Sequence, residues 1–218
     1  MSVSKTTPLG WPQPQGLWNP SHEKDACGVG FIAHLKGERS HDIIQKTLMM
    51  NARMDHRGAS GSDPATGDGA GIFVQMPDKF LRKEMAKKGV DLPAEGAYGA
   101  GLIFLSPETS EREAAMQFIE HIIREEGQRF LGWRTVPVKS EILGKTSGRY
   151  EPSIRQVFIG KNPAITDPMA FERTLYIIRR RITYGIRHNE LPNNFTDVHG
   201  NKSNSFPGSS YLYITNLS

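Results

Sequence analysis

The chain has 218 residues, of which 37% are hydrophobic, 23% are charged and 9% are aromatic, a balance typical of a folded globular protein. No apolar run approaches the length of about 18 residues that a membrane-spanning helix needs. The formal net charge is +4, but acidic and basic residues alternate, and no basic stripe with interleaved aromatic residues indicates a nucleic-acid partner. We therefore expect neither a membrane nor a nucleic acid among its partners.

The first 24 residues predict an extended leader, because four prolines interrupt any regular helix or central strand: Pro8, Pro12, Pro14 and Pro20. They contain no apolar segment of the kind found in secretory signal peptides. We expect a cytoplasmic protein, or one in a plastid-like compartment if a transit segment has been trimmed. The apolar run that follows, residues 27–34, predicts a buried strand.

Ser40 can cap a helix whose apolar residues, from Ile43 to Met54, recur at helical spacing. The glycine-rich segment from Asp55 to Gly69 predicts a loop. The following elements are predicted next: a strand at 70–76, a helix at 78–88 that Gly89 ends, a strand at 99–105, and a helix at 107–126 that ends at Gly127.

The second half of the chain predicts strands at 130–138 and 154–160 and a long helix at 167–187. Pro168 suits the first turn of that helix, and Leu175, Ile178 and Ile182 recur on one face. Residues 189–209 predict an excursion loop, and a last strand begins at 211–214. This order indicates a mixed arrangement of helices and sheets without determining the topology.

Cys27 is the only cysteine, so the chain forms no internal disulfide and supplies no cysteine-based zinc or iron–sulfur site. Five histidines show no metal-ligand spacing: His34, His41, His121, His188 and His199. We therefore predict no metal site.

Three motifs carry a resemblance to a known family. The segment Asp25-Ala26-Cys27-Gly28-Val29-Gly30-Phe31 resembles the processing site of the glutamate synthase large subunit. Residues 54–59, Met-Asp-His-Arg-Gly-Ala, look like the His-Arg-Gly loop of class II glutamine amidotransferases. Residues 67–72, Gly-Asp-Gly-Ala-Gly-Ile, are again similar to the glutamate synthase form. Segments 151–159 and 211–214 also resemble the family, so the resemblance covers nearly the whole chain.

The resemblance implies an α+β N-terminal-nucleophile (Ntn) hydrolase fold, a four-layer αββα sandwich truncated at its C-terminal end. It divides the chain into a leader, residues 1–26, and an incomplete class II glutamine amidotransferase domain, residues 27–218. The family's Asn-Gly pair, which supplies oxyanion donors, and its His-Ser-Arg-Phe-Ser-Thr segment do not occur in the sequence. We therefore expect a fragment that is inactive and prone to aggregation on its own.

Cleavage between Ala26 and Cys27, which the resemblance implies, would give Cys27 its own general base. A thiol has a pKa of about 8.5 and attacks as the thiolate. A free α-amino group has a pKa of about 7.7 to 8 and can take up that proton, whereas the amide nitrogen of the uncleaved chain cannot. Cys27 is therefore the predicted nucleophile, attacking the side-chain amide of glutamine, and the uncleaved chain should be inactive.

The resemblance places six further residues around the nucleophile: Gly28, His56, Arg57, Gly58, Asp68 and Gly69. Gly28 leaves room for substrate or backbone to approach. Arg57 is either a surface arginine or a brace for the loop, and we favour the brace. His56 could act as a base, although loop hydrogen bonding is the preferred interpretation. Asp68 and Gly69 are interpreted as turn formers in preference to substrate ligands.

The resemblance implies L-glutamine as substrate and downstream synthase domains of the same chain, where the released ammonia converts 2-oxoglutarate to glutamate. It implies FMN and an iron–sulfur cluster in those later domains, no cofactor in this segment, and a small NADPH-oxidising subunit as a further candidate partner. Two alternatives stay open: the glutaminase domain of another class II amidotransferase, and a non-catalytic module with a structural cysteine. The 26-residue leader favours the synthase, because other class II members expose the cysteine almost directly after the initiator methionine.

Overall fold

The computed structural model describes residues 28–55, 58, 63, 65–67 and 69–187, together with the backbone of residues 212–215. The chain divides into two compact units, residues 1–61 with 67–72, and residues 62–66 with 73–218. The predicted leader and the predicted excursion loop at 189–209 lie outside the described residues.

The first unit contains helix α1 (His41–Arg53). Its start confirms the predicted cap, because the Ser40 hydroxyl oxygen accepts a hydrogen bond from the backbone N–H of Asp42 at 3.2 Å. None of the residues of α1 is fully buried, so its apolar side chains are only partly covered.

Two predicted strands do not form, at residues 28–34 and 70–76. Val29 and Phe31 are 87% and 89% exposed, so the first run is not buried either. A run of β-branched and aromatic residues becomes a strand only where a neighbouring strand accepts and donates its ladder hydrogen bonds. Within the described part of the chain, neither run pairs with another strand, and both predictions were therefore wrong.

The second unit contains the remaining described elements: α2 (Asp78–Ala86), β1 (Tyr98–Leu105), α3 (Thr109–Glu125), β2 (Arg129–Thr135), a short 3-10 turn (Ser140–Ile142), α4 (Lys145–Gly148), β3 (Ser153–Gly160), α5 (Pro168–Arg187) and β4 (Leu212–Thr215). Apart from the 3-10 turn and α4, these elements confirm the predictions made for this stretch in order and type. α2 ends at Ala86, two residues before its predicted end at 88, and α3 ends at Glu125, one residue before its predicted end at 126. Among the described helices, none combines the length and the apolar character needed to cross a bilayer.

The four strands form one antiparallel sheet in the order β2-β3-β1-β4. β1 pairs with β3 from Tyr98↔Gly160 to Leu105↔Ser153, and β4 lies along the other side of β1. Helix α3 connects β1 to β2, and β3 lies between these two strands in the sheet. Helix α5 connects β3 to β4, and β1 lies between them. Both connections are split β-α-β units. An antiparallel sheet with helices packed on it confirms the α+β class.

Both faces of this sheet carry buried side chains. Alternation along β1 places Ile103 and Leu105 on the face covered by α3 and α5, and Tyr98 and Ala100 on the face covered by α2. The larger cluster is built from the helices and the centre of the sheet: Val157, Ile159, Ile119, Ile123, Phe171, Leu175, Ile178 and Ile182. The predicted apolar face of α5 is therefore confirmed, since its three predicted residues are fully buried.

Local hydrogen bonds explain where α5 begins. The Asp167 carboxylate accepts from the backbone N–H groups of Met169 at 2.9 Å and Ala170 at 3.1 Å. These N–H groups have no partner within the helix, so a capping carboxylate stabilises the first turn. Pro168 occupies the first helical position, where its missing N–H costs nothing.

Candidate active site

Five residues of the predicted site lie outside the described residues: Ala26, Cys27, His56, Arg57 and Asp68. The other three, Gly28, Gly58 and Gly69, are described, and all three are exposed.

The segment after Cys27 passes close to α1. A Cβ atom on Gly30 would lie 2.5 Å from the Sδ atom of Met50, well inside normal contact distance. The glycine therefore allows this backbone to approach the helix, although the flexible methionine side chain could yield in part. Gly28, two residues earlier, is exposed at the position next to the predicted nucleophile.

The predicted His-Arg-Gly loop begins with a tight turn after α1. The backbone N–H of Met54 donates to the carbonyl of Asn51 at 3.1 Å, and the N–H of Gly58 donates to the carbonyl of Asp55 at 3.0 Å. A Cβ atom on Gly58 would lie 3.3 Å from that same carbonyl oxygen. His56 and Arg57 come between Asp55 and Gly58 in sequence and lie outside the described residues.

The loop ends near Gly69, which has a φ of +86°. Residues with a Cβ atom rarely adopt this left-handed backbone conformation. A Cβ atom on Gly69 would have no described atom within 4 Å beyond its chain neighbours. Glycine at this position is therefore explained by backbone conformation, because the described surroundings would accommodate a larger side chain.

The middle of the loop is held by residues that the sequence analysis did not single out. The Asp63 carboxylate accepts from the backbone N–H of Thr146 at 3.0 Å, the hydroxyl of Thr66 at 3.0 Å and the N–H of Ala65 at 3.1 Å. These donors lower the pKa of the Asp63 carboxyl group, with the Thr146 N–H contributing most. An aspartate followed three residues later by a threonine is a local turn signal. The contact of Asp63 with the distant Thr146 could not be predicted from sequence, because no local pattern links the two residues.

In the described part of the chain, no three His, Cys, Asp or Glu side chains come close enough together to hold a metal ion. The described hydrogen bonds of the loop are instead made by backbone groups, hydroxyl groups and one carboxylate. This arrangement orders a chain segment and presents no preformed metal site among the described residues.

Comparison with known proteins agrees with the motifs. Residues 27–199 match the family described as class-II glutamine amidotransferases. The chain is 48% identical over 170 residues to the glutamate synthase [NADPH] large chain of Bacillus subtilis, an alignment that covers 78% of this chain and 11% of that protein. It is 38% identical over 178 residues to the glutamate synthase [NADH] of Schizosaccharomyces pombe, covering 79% of this chain and 8% of that protein.

A third relative, the ferredoxin-dependent glutamate synthase 2 of Synechocystis, is 37% identical over 157 residues, which are 72% of this chain and 10% of that protein. The chain thus spans about a tenth of the length of the curated relatives that it matches. Since the family match covers most of the chain and begins at its single cysteine, the chain belongs to the class-II glutamine amidotransferases.

Proposed function

We propose that this chain is the glutaminase part of a glutamate synthase and that Cys27 becomes its nucleophile when residues 1–26 are removed as a leader. The observation that carries the proposal is the family match over residues 27–199, which starts at the only cysteine. A relative that is 48% identical and is named a glutamate synthase large chain supports the synthase over other amidotransferases. The remainder, residues 27–218, is the amidotransferase domain of this proposal.

The reaction begins when the Cys27 Sγ attacks the side-chain amide carbon of glutamine. The new α-amino group takes the thiol proton and returns it to the departing nitrogen, so that ammonia leaves and a γ-glutamyl thioester remains. Water then attacks the thioester carbon, which releases glutamate and restores the thiol. In the complete synthase the ammonia is used to convert 2-oxoglutarate to glutamate.

The supporting residues act on the loop beside the nucleophile. Arg57 braces this loop with its planar donors, and His56 contributes hydrogen bonds to it. Gly58, Asp68 and Gly69 form its turns, and Gly28 leaves space for the substrate next to the thiol. The hydrogen bond from the Gly58 N–H to the Asp55 carbonyl and the positive φ of Gly69 support the assignment of turns at these two positions.

The finer architecture of the proposal is a four-layer Ntn sandwich, in which the described sheet and helices α3 and α5 supply two layers. The partial exposure of the sheet face opposite α3 and α5 supports the presence of a second sheet. Leu102 lies on the face that α2 covers only in part, and it is 42% exposed. A second sheet on this face would bury such side chains.

FMN and an iron–sulfur cluster are assigned to other domains of the synthase, because a single cysteine cannot ligate a cluster. Relatives named for NADPH, NADH and ferredoxin match similar shares of this chain. This supports the proposal that the present segment acts on glutamine. Electrons are then supplied by other synthase domains and, where one is present, by a small NADPH-oxidising subunit. We place the enzyme in the cytoplasm or a plastid; one relative, from Arabidopsis thaliana, is named chloroplastic/mitochondrial.

The test uses the full-length synthase to which the proposal assigns this chain. Intact-mass analysis should show the loss of residues 1–26, and a glutamine-like electrophile such as diazo-oxo-norleucine should label Cys27. Cys27→Ala, produced without residues 1–26, should lose glutamine-dependent glutamate formation. It should keep ammonia-dependent formation, because ammonia enters after the amide has been hydrolysed. Retention of full glutaminase activity in this variant would refute the assignment.

A further inference from the structure

The outward side of α5 carries large apolar and aromatic side chains. Met169, Tyr176 and Tyr184 are each more than half exposed, and together with Arg173 and Arg180 they recur at intervals of three or four residues. This spacing places all five side chains along one side of the helix. They lie opposite the buried side of α5, which packs on the sheet. We call these five residues the outer stripe of α5.

Helix α3 packs on the same face of the sheet and provides an internal comparison. Its exposed side chains are all polar or charged: Thr109, Ser110, Glu113, Gln117, His121, Arg124 and Glu125. A helix at the surface of a globular protein typically has such a polar outer side. The outer stripe of α5 has instead the composition of a contact surface, in which tyrosine, methionine and arginine are enriched.

The sandwich architecture proposed above does not cover the outer stripe. The second sheet of that architecture packs on the sheet face opposite α3 and α5, where Leu102 is partly exposed. The outer stripe points away from the described sheet altogether, because the buried side of α5 lies between them. A surface that covers the stripe therefore comes from outside the amidotransferase domain.

The charges of the outer stripe determine which kind of surface fits it. The stripe contains two arginines and no acidic residue. Arg173 is paired with Asp167 at 3.0 Å, whereas the Arg180 side chain has no hydrogen bond or ion pair to any described residue. A two-fold contact between two copies of the stripe would bring arginines together without a carboxylate to neutralise them. A complementary surface has a carboxylate opposite Arg180 and apolar side chains opposite the tyrosines.

Tyr176 lies at the middle of the stripe and is already held in place. The Cζ atom of Arg179 is 5.1 Å from the centroid of the Tyr176 ring, a cation–π distance. An aromatic side chain that is fixed in advance loses little conformational freedom on binding, and tyrosine is a residue type that often dominates binding energy. Ile177 lies at the margin of the stripe, where interface contacts contribute little energy. Tyr176 is therefore the expected anchor.

We propose that the outer stripe of α5 docks onto another domain of the same synthase chain, whose contacting surface combines apolar side chains with a carboxylate opposite Arg180. This inference rests on the proposed function. The chain spans about a tenth of the length of its relatives, so most of a complete synthase is available as the partner. Covalent attachment gives the two surfaces a high effective concentration, which keeps the apolar stripe covered and away from water.

The test measures how fast a maleimide labels cysteines introduced into the full-length synthase, with each labelled site identified by peptide mass. Met169→Cys and Tyr184→Cys report on the two ends of the stripe, and Gln117→Cys on the outer side of α3 is the matched control. Both stripe positions should be labelled about tenfold more slowly than the control, or slower still, because a thiol inside an interface reacts only when the interface opens. If one reporter variant does not accumulate, the other decides the question.

A charge reversal tests the proposed partner chemistry. Arg180→Glu, added to the Met169→Cys chain, should raise the labelling rate towards that of the control, because like charges then face each other across the interface. The reporter is 11 residues from position 180, so a local change around the glutamate does not affect it directly. Arg180→Lys keeps the positive charge and should leave Met169→Cys protected. Unchanged protection in the Arg180→Glu chain would overturn the assigned carboxylate partner.

The remaining outcomes separate the occupants of the stripe from one another. Protection that disappears when the synthase is diluted to a monomer would mean that a second copy covers the stripe. Protection that appears only after a small NADPH-oxidising subunit is added would assign the stripe to that subunit. Either result overturns this inference, as do equal labelling rates at all three positions alongside an inactive Cys27→Ala. Full glutaminase activity in Cys27→Ala overturns the proposed function and leaves the labelling result standing.

Discussion

Two adjacent isoleucines in α5 allow burial to be tested with the chemistry held constant. Ile178 is fully buried in the cluster between α5, α3 and the sheet, whereas Ile177 is 45% exposed. Replacing either one by alanine removes the same three carbon atoms from the interior of the same helix. The gain in helix propensity is therefore the same, and only the surroundings differ.

The magnitude follows from these surroundings. At about 0.8 kcal/mol per buried methylene, three carbon atoms amount to roughly 2.4 kcal/mol at Ile178, and the cavity left behind adds to this. Isoleucine-to-alanine changes in cores cost about 2 to 5 kcal/mol. Ile177 already contacts solvent over nearly half of its surface, so its replacement should cost roughly 1 kcal/mol and leave no closed cavity. We expect the free energies of unfolding to differ by about 2 kcal/mol or more between the two variants.

The assay is protease cleavage of this segment as a function of urea in the full-length synthase, because we expect the chain to aggregate on its own; the wild type and both variants are measured together. The midpoint should fall clearly for Ile178→Ala and only slightly for Ile177→Ala, with the slope unchanged, since a changed slope would signal a different unfolded state. When the same protein is heated, the unfolding temperatures of this segment in the two variants should differ by about 4 to 8 °C, the scale for a folding unit of this size. Equal losses, or a larger loss at Ile177, would refute the described orientation of α5.

Three further predictions concern single contacts. Gly185→Ala should lower the melting temperature, because the new Cβ would clash with the Cζ atom of Phe118. The overpacking cost of about 1 to 3 kcal/mol opposes a helix-propensity gain of about 1 kcal/mol. Adding Phe118→Leu should restore part of the loss, and strict additivity would contradict this contact. Arg181→Met should lower the melting temperature at pH 7, because the Arg181 guanidinium bonds to Glu125 at 2.6 Å and lowers the pKa of that carboxyl group below its usual value of 4.5. The depressed pKa means that this stabilisation is present above pH 4.5 and is lost as the pH falls further, so the difference from wild type should shrink as the pH is lowered below 4.5. A difference that grows instead would reverse the assigned sign. Gly69→Ala should destabilise the protein by about 1 to 2 kcal/mol in urea titrations, since its φ of +86° strains any residue with a Cβ atom, and an unchanged midpoint would rule out this conformation.

Local signals allowed the helices to be predicted from sequence. The Ser40 hydroxyl caps α1, and Asp167 with Pro168 begins α5, because the groups that end or start a helix lie within a few residues of one another. The buried face of α5 also follows from helical spacing alone. These features depend on short-range geometry that the order of residues specifies directly.

The strands show the limit of the same reasoning. Residues 28–34 and 70–76 have the apolar composition of strands and form none, whereas 98–105 and 153–160 pair along their full length. The amino-acid composition of a segment indicates its strand propensity, but a strand forms only where another strand supplies its hydrogen bonds. The strand order β2-β3-β1-β4 is likewise a property of long-range pairing.

For the candidate site, the chemistry was predicted from residue types and their order alone: a single cysteine, its neighbours Ala26 and Gly28, and two glycine-rich motifs that resemble those of class II amidotransferases. The contact between Asp63 and Thr146 could not be predicted in this way, because the two residues are 83 positions apart and no local pattern links them. Chemical reactivity depends on side-chain type and on neighbours in sequence, whereas a long-range hydrogen bond depends on which distant N–H groups the fold leaves without a partner.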